Sequence, residues 1–151
     1  MIRGLFVSAL LTWVPFHSTL YPYHLSQPSS FRHIVLTNAA NISIDYFFPS
    51  KGSFVTNVNV VAQPGTTLPD ERRYLRSLGG RHIHRSGWVR LHGRRLPITD
   101  ADFRSLAGAY HIEQLRFIDH GRLWQVTASY SPAYRRMRPL MLRMLDSFRT
   151  P

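Results

Sequence analysis

Three histidines are the first residues whose spacing suggests chemistry. His82 and His84 lie two positions apart, so both imidazoles would point to the same side of a strand, and His92 follows nearby. Imidazole nitrogens bind zinc and other transition metals, which makes the three a candidate metal site. The alternative is a solvated strand, because Arg81 and Arg85 flank the pair and adjacent cations oppose metal binding. We favour the solvated strand and expect no metal and no other cofactor.

Two carboxylates could form a second centre. Asp100 and Asp102 have the close spacing of paired acid–base groups. The alternative is that they cap and charge the start of a short helical turn within Thr99–Gly108, which could also be irregular. The sequence contains no G-x-S-x-G elbow, phosphate-binding loop, H-E-x-x-H or G-x-G-x-x-G motif. We therefore expect no catalytic residues and no enzymatic activity.

Charge is the most unusual feature of the composition. Nineteen basic residues stand against eight acidic ones, for a formal charge of +11, and Lys51 is the only lysine. The densest arginine groups are Arg72, Arg73 and Arg76, then Arg90, Arg94 and Arg95, then Arg135, Arg136 and Arg138. Such a chain could bind nucleic acid or anionic surfaces, but dispersed arginines predict weak, non-specific binding. The absence of cysteine excludes disulfides and thiolate chemistry.

The N-terminus resembles an export signal. Met1–Arg3 carries a positive charge, and Gly4–Phe16 is mostly apolar but too short to span a bilayer. Residues 17–30, rich in serine and proline, read as a linker. We expect a signal-like segment and linker over 1–30, one domain over 31–151, and a periplasmic or exported protein. A misassigned start codon would instead make it cytoplasmic.

Hydrophobic periodicity then predicts the elements of this domain. Strands are predicted at Phe31–Thr37, Ile42–Phe48, Phe54–Ala62, Arg81–Arg85, Gly87–Leu91, Arg95–Ile98, Tyr110–Ile118 and Arg122–Tyr130. One helix should start at a capping box from Thr67 to Asp70 and stop at Gly79. A second should run from Ser131 to about Asp146, with Pro139 either kinking it or marking its true start. The fold class is therefore α+β, with an antiparallel sheet of about five or six strands flanked by helices.

Alternation along the strands predicts a core face and a polar face. One core should hold Val58, Val60, Trp124, Val126, Leu145 and Phe148. Met137, Met141 and Met144 form a stripe on the last helix, which fits a core face better than an adaptable groove.

The polar face is a candidate docking surface for a partner. Asn57 and Asn59 lie opposite the valines of their strand, and Gln125 and Thr127 lie opposite Trp124 and Val126. Arg116 alternates with Leu115 and Phe117 and should lie near the same surface. Uncharged amides and hydroxyls can exchange hydrogen bonds with a partner at a low desolvation cost. The alternative is a plain solvated face.

Four segments, in this order, resemble the PsbP-like domains, and among them the DcrB-like and LpqN-like bacterial families. They are FVTNVNVVAQPGTTLPDERRYLRSL at Phe54–Leu78, LHGRRLP at Leu91–Pro97, EQLRFIDHGRLWQVTASY at Glu113–Tyr130, and RPLMLRMLDSFR at Arg138–Arg149, which holds the family's closing Ser-Phe pair. The resemblance covers about residues 43–149.

The resemblance implies a curved antiparallel sheet flanked by helices and no common catalytic apparatus. Members of these families bind proteins, support photosystem or envelope assemblies, or chaperone apolar segments of secreted effectors. We therefore expect a non-catalytic, protein-binding accessory or chaperone-like domain of the bacterial envelope or of a secretion system. Its partner would be a protein, such as an apolar segment of a secreted or envelope protein. The alternative is a basic domain that binds nucleic acid or anionic surfaces through its arginine clusters.

Overall fold

The computed structural model describes residues 11–51 and 55–151. The strands are β1 (Trp13–His17), β2 (His24–Pro28), β3 (Phe31–Thr37), β4 (Ser43–Pro49), β5 (Asn57–Pro64), β6 (Arg81–Leu91), β7 (Arg94–Ser105), β8 (Gly108–Asp119) and β9 (Arg122–Tyr130). The helices are α1 (Glu71–Ser77), a 3₁₀ helix (Pro132–Met137) and α2 (Arg138–Ser147).

Among the described residues, the strands form two antiparallel sheets. The larger has seven strands in the order β3-β4-β5-β9-β8-β7-β6, and the smaller pairs β1 with β2. The predicted α+β class, an antiparallel sheet flanked by helices, is confirmed. The large sheet has more strands than the five or six expected.

Two tight hairpins join the strands at the His-Gly pairs of the sequence. At His92 and Gly93 the φ angles are 48° and 75°, and at His120 and Gly121 they are 49° and 68°. Positive φ at both central residues is the geometry of a two-residue type I′ turn, whose twist matches that of paired strands. The predicted hairpin of Tyr110–Ile118 with Arg122–Tyr130 is confirmed by the β8–β9 pairing.

The main core lies between one face of the large sheet and helix α2. The six predicted core residues all belong to it and are at most 1% exposed: Val58, Val60, Trp124, Val126, Leu145 and Phe148. Met141 and Met144 are fully buried there, and Met137 packs against it. The methionine stripe is therefore a core face.

Residues 17–30 are not a linker in the structure. Tyr23 and Leu25, on either side of His24, are 4% and 1% exposed within the main core. The backbone N–H of Ser26 donates to the Ser147 hydroxyl at 2.8 Å, which ties β2 to α2. Proline and serine made this stretch resemble a linker, but a short alternating strand needs only a few apolar residues. Of the signal-like segment, residues 1–10 lie outside the described residues.

The stretch Thr99–Gly108 is also corrected, because most of it is strand. Asp100 and Asp102 lie within β7, paired with residues of β6 and β8, and cap no helix. Their carboxylates bond to histidines across the sheet, so long-range pairing overrides the local preference of Asp for helix starts.

Both helices begin slightly later than predicted. Helix α1 is capped by Asp70, whose carboxylate accepts from the Arg73 N–H at 2.7 Å, so Thr67 lies outside the helix. Pro139 occupies the first turn of α2 and marks its start. The N–H that proline lacks would have no partner within the helix at this position. In the part of the chain that is described, no helix is long and apolar enough to cross a membrane.

Candidate functional site

An open cleft of about 1240 Å³ lies on the same side of the large sheet as the main core. It is found where polar side chains replace the apolar ones of the core. The first residues of β6, the second half of β7 and the start of β8 form its floor, and the 3₁₀ helix and the start of α2 form one wall. We call it the histidine cleft, after His82, His84 and His111, which line it together with Asp100 and Asp102.

These five side chains form a continuous ladder across three strands. Asp102 accepts from His82 Nδ1 at 2.9 Å and from His111 Nδ1 at 2.7 Å. Asp100 lies 3.3 Å from His111 Nε2 and 2.7 Å from His84 Nδ1. Strand register causes this, because His84 is paired with Asp100 and Asp102 with His111, and paired residues point to the same side of a sheet.

A break in regular pairing brings His82 into the ladder. The β6–β7 register shifts between Arg81 and His84, and His82 has a φ angle of 50°. Left-handed backbone is uncommon for residues other than glycine, and bulges of this kind re-aim side chains. Here the bulge directs the His82 imidazole towards Asp102.

The two carboxylates of the ladder have different electrostatic environments. The hydrogen bond from His111 lowers the pKa of Asp102, which is half exposed. Burial raises the pKa of Asp100, although His111 and His84 oppose that effect. The ladder therefore holds one solvent-facing carboxylate that stays ionised and one that is desolvated.

A buried ion pair supports the cleft from beneath. Glu113 is fully buried and accepts from Arg138 Nε at 2.9 Å and from Nη2 at 2.7 Å. This hydrogen bonding raises the pKa of the Arg138 guanidinium. Such a two-point contact fixes orientation as well as charge, so it pins the start of α2 to strand β8.

The three histidines first considered as a metal site are not brought together. His92 lies in the hairpin at the far end of β6, where Nε2 is 2.8 Å from the Thr150 hydroxyl. His111, which the sequence did not single out, takes its place beside His82 and His84. Among residues 11–51 and 55–151, no group of three or more suitable side chains could hold a metal ion.

The predicted docking residues do share one face of the sheet. Asn59 is paired with Thr127, and Gln125 with Arg116, on the side opposite the main core. Asn57 belongs to the same face, which we call the polar face. Asn57, Thr127 and Arg116 are buried at 6–7% exposure, whereas Asn59 and Gln125 are half-buried.

The chain's own side chains occupy much of the polar face. Arg116 Nη1 donates to Glu71 at 3.0 Å, and its guanidinium lies 4.0 Å from the centre of the Tyr74 ring on α1. Asn59 donates to the side chain of Asn57 at 2.9 Å. Burial raises the pKa of Glu71, although Arg116 opposes it. Helix α1 therefore takes up part of the hydrogen-bonding capacity that a partner would use.

One signal for the histidine cleft was present in the sequence. Asp100 and Asp102 alternate, as do His111 and Glu113, so each pair lies on one side of its strand. Reading residues 99–105 as a strand would have brought the two pairs together. No local pattern pointed to Arg138 as the partner of Glu113.

No protein-family model matches the sequence, and the search of curated proteins found no match. Solved structures do resemble it. The solution structure of CyanoP, the cyanobacterial PsbP of Synechocystis sp. PCC 6803, has a TM-score of 0.63 at 11% identity and covers 99% of both chains. LpqN of Mycobacterium tuberculosis, described as involved in cell envelope biogenesis, has a TM-score of 0.53 at 14% identity, covering 94% of this chain and 92% of LpqN.

A third similar structure comes from Bacteroides thetaiotaomicron, with a TM-score of 0.60 at 9% identity. It covers 91% of this chain but 48% of the longer one. Identities this low show the fold alone. The protein has the PsbP-like fold, and LpqN is among the solved structures similar to it, as the resemblance of the four segments predicted.

Proposed function

We propose that the protein is a non-catalytic accessory domain that binds a partner protein, and that the partner docks in the histidine cleft. One observation carries the choice of surface. The cleft is open and about 1240 Å³ in volume, whereas helix α1 contacts part of the opposite, polar face. Clefts with a few convergent polar groups are the usual places where proteins bind ligands, and an extended segment of a partner can enter one of this size.

The arrangement of the cleft supports binding rather than catalysis. His82 Nδ1 bonds to Asp102, and both ring nitrogens of His111 lie against carboxylates. His84 Nδ1 bonds to the backbone oxygen of His82 and lies 2.7 Å from Asp100. His111 is the least exposed histidine of the ladder, and because carboxylates take up both of its ring nitrogens it has none to direct at a substrate. A general base needs its nitrogen directed at a reacting group.

We place this activity in the bacterial envelope or a secretion system. The signal-like composition of Gly4–Phe16 supports export, and the description of LpqN supports an envelope role for a domain of this fold. The accessory role includes a chaperone-like one, in which the partner is an apolar segment of a secreted or envelope protein.

A second candidate function is the binding of nucleic acid or anionic surfaces. Arg85 and Arg95 lie 4.4 and 4.6 Å from the ring centre of Trp88, which is 42% exposed. Arginine and exposed tryptophan together suit single-stranded nucleic acid. Because two guanidinium groups already pack against the Trp88 ring, a nucleic-acid base would have to displace one of them to stack there. We therefore expect nucleic-acid binding to be weak and salt-sensitive.

Capture of partners from the native host distinguishes the two proposed surfaces. A cleft variant carries Arg81→Gln, Arg104→Gln and Arg135→Gln, which leave the ladder intact. We expect it to lose about tenfold or more of the captured partner, since charged side chains stabilise protein contacts. A polar-face variant with Asn59→Ala and Gln125→Ala should retain it.

Thermal unfolding must show that both variants fold. Adding Asn57→Ala to the polar-face pair tests all three amides, at some cost in stability because Asn57 is buried. Loss of the partner only in a folded polar-face variant would move the docking site to that face.

A further inference from the structure

We infer that the histidine cleft recognises an acidic peptide segment of its partner. This inference rests on the proposed function, in which the partner docks in the cleft, and adds the chemistry of the docked segment.

The charges of the cleft are arranged in two layers. In the floor, the carboxylates of Asp100 and Asp102 are bonded to histidines, and Glu113 is bonded to Arg138. Asp102 and Glu113 therefore each accept two hydrogen bonds from the protein's own donors, whereas Oδ1 of Asp100 is buried without one.

The outer layer is positive. Arg81, Arg104 and Arg135 also line the cleft and are solvent-exposed. Within residues 11–51 and 55–151, no carboxylate lies within ion-pair distance of any of the three. Three arginines thus line one cavity without a carboxylate within ion-pair distance, and guanidinium binds carboxylate by two parallel hydrogen bonds.

One wall of the cleft carries apolar groups, because Pro132 and Pro139 line it. The stacked rings of Phe103 and Tyr110 pack instead with Leu75 of α1, on the other side of the sheet. At about 1240 Å³ the cavity exceeds the roughly 300–1,000 Å³ of most small-molecule pockets. A short peptide with acidic and apolar side chains fits both observations.

Nucleic acid fits the cleft less well. Asp102 is half exposed on the floor and would repel closely spaced phosphates, and the rings of Phe103 and Tyr110 are stacked on each other. A peptide can place its carboxylates at wider spacing and offer backbone N–H groups to Asp102.

The test uses a short fluorescein-labelled peptide in which Glu and Asp alternate with Phe and Ala. A matched peptide carries Gln and Asn instead, and a labelled single-stranded DNA oligonucleotide is the third probe. Fluorescence anisotropy measures binding to the full chain at low and high ionic strength. We expect the acidic peptide to bind, the amide peptide not to bind, and salt to weaken binding.

Two charge-matched variants locate the site. Arg81→Gln, Arg104→Gln and Arg135→Gln together should weaken binding of the acidic peptide by about tenfold or more. Arg32→Gln, Arg72→Gln and Arg73→Gln remove the same charge from exposed positions outside the cleft and should change it less than about twofold.

Three results would overturn the inference. They are equal weakening by both variants, no binding of the acidic peptide at low ionic strength, and tighter, cleft-dependent binding of the oligonucleotide. If partner capture still depends on the cleft when the peptide fails, docking there stands and the acidic-peptide inference alone is wrong.

Discussion

A chain that begins at Ser29 is expected to be unfolded at room temperature. It lacks β1 and β2, and so lacks the buried side chains of Tyr23 and Leu25. Each large buried side chain contributes roughly 1.5–3 kcal/mol, while a whole domain is stable by only about 5–15 kcal/mol. The loss also removes the Tyr23 hydroxyl, which donates at 2.8 Å to the fully buried Asp45. Circular dichroism and thermal unfolding measure the outcome.

The control is a chain that begins at Leu11, which keeps both strands and should unfold cooperatively. In that background, Leu25→Ala should cost about 2–5 kcal/mol, and Leu106→Ala, at a fully exposed position, within about 0.5 kcal/mol. A folded Ser29 chain with an unchanged melting temperature would show that β1 and β2 are dispensable.

Replacing Arg138 by methionine should destabilise the protein by about 2–4 kcal/mol. The change leaves the carboxylate of Glu113 buried without the two hydrogen bonds that now satisfy it. Removing one partner of a fully buried pair costs about 3–5 kcal/mol, and we expect less because the Arg138 side chain is 39% exposed. Denaturant unfolding measures the difference in the free energy of unfolding.

Two further variants isolate the interaction. Arg136→Met removes an exposed neighbouring charge and should stay within about 0.5 kcal/mol of the wild type. Combining Arg138→Met with Glu113→Gln removes the buried, unpaired carboxylate charge. The double variant should recover about 1 kcal/mol of the free energy of unfolding. A double variant less stable than Arg138→Met alone would mean that the pair is not what holds α2 to the sheet.

The features that depend on local pattern were predictable from the sequence. Val58, Val60, Trp124 and Val126 alternate with polar residues, and strand periodicity alone places them on one side of the sheet. The β8–β9 hairpin followed in the same way from two alternating runs joined at Gly121. Local periodicity of this kind is sufficient to predict the α+β fold class.

The histidine cleft depends on pairing between distant strands, which local pattern does not specify. Asp100 on its own favours a helix start over a strand, and only its pairing with His84 and Glu113 places it in β7. The bulge at His82 has no local signature. Residues 17–30 were misread for a related reason, because the burial of Tyr23 depends on α2 and the large sheet.

The residues that share the polar face were predicted correctly, but the helix that packs against them was not. Alternation and register bring Asn59, Gln125 and Thr127 to one side, as expected. That helix α1 would pack there, with Glu71 bonded to Arg116, is a tertiary contact between residues far apart in the sequence.

Photo-crosslinking in the native host tests most directly whether the histidine cleft is the docking site. Benzoylphenylalanine is placed in separate variants at Arg104 and Arg135 in the cleft, and at Asn59 and Gln125 on the polar face. Each variant is irradiated in living cells, and crosslinked products are identified by mass spectrometry. Our account predicts the same partner protein crosslinked from both cleft positions and from neither polar-face position. Crosslinks from Asn59 or Gln125, with none from Arg104 and Arg135, would contradict it.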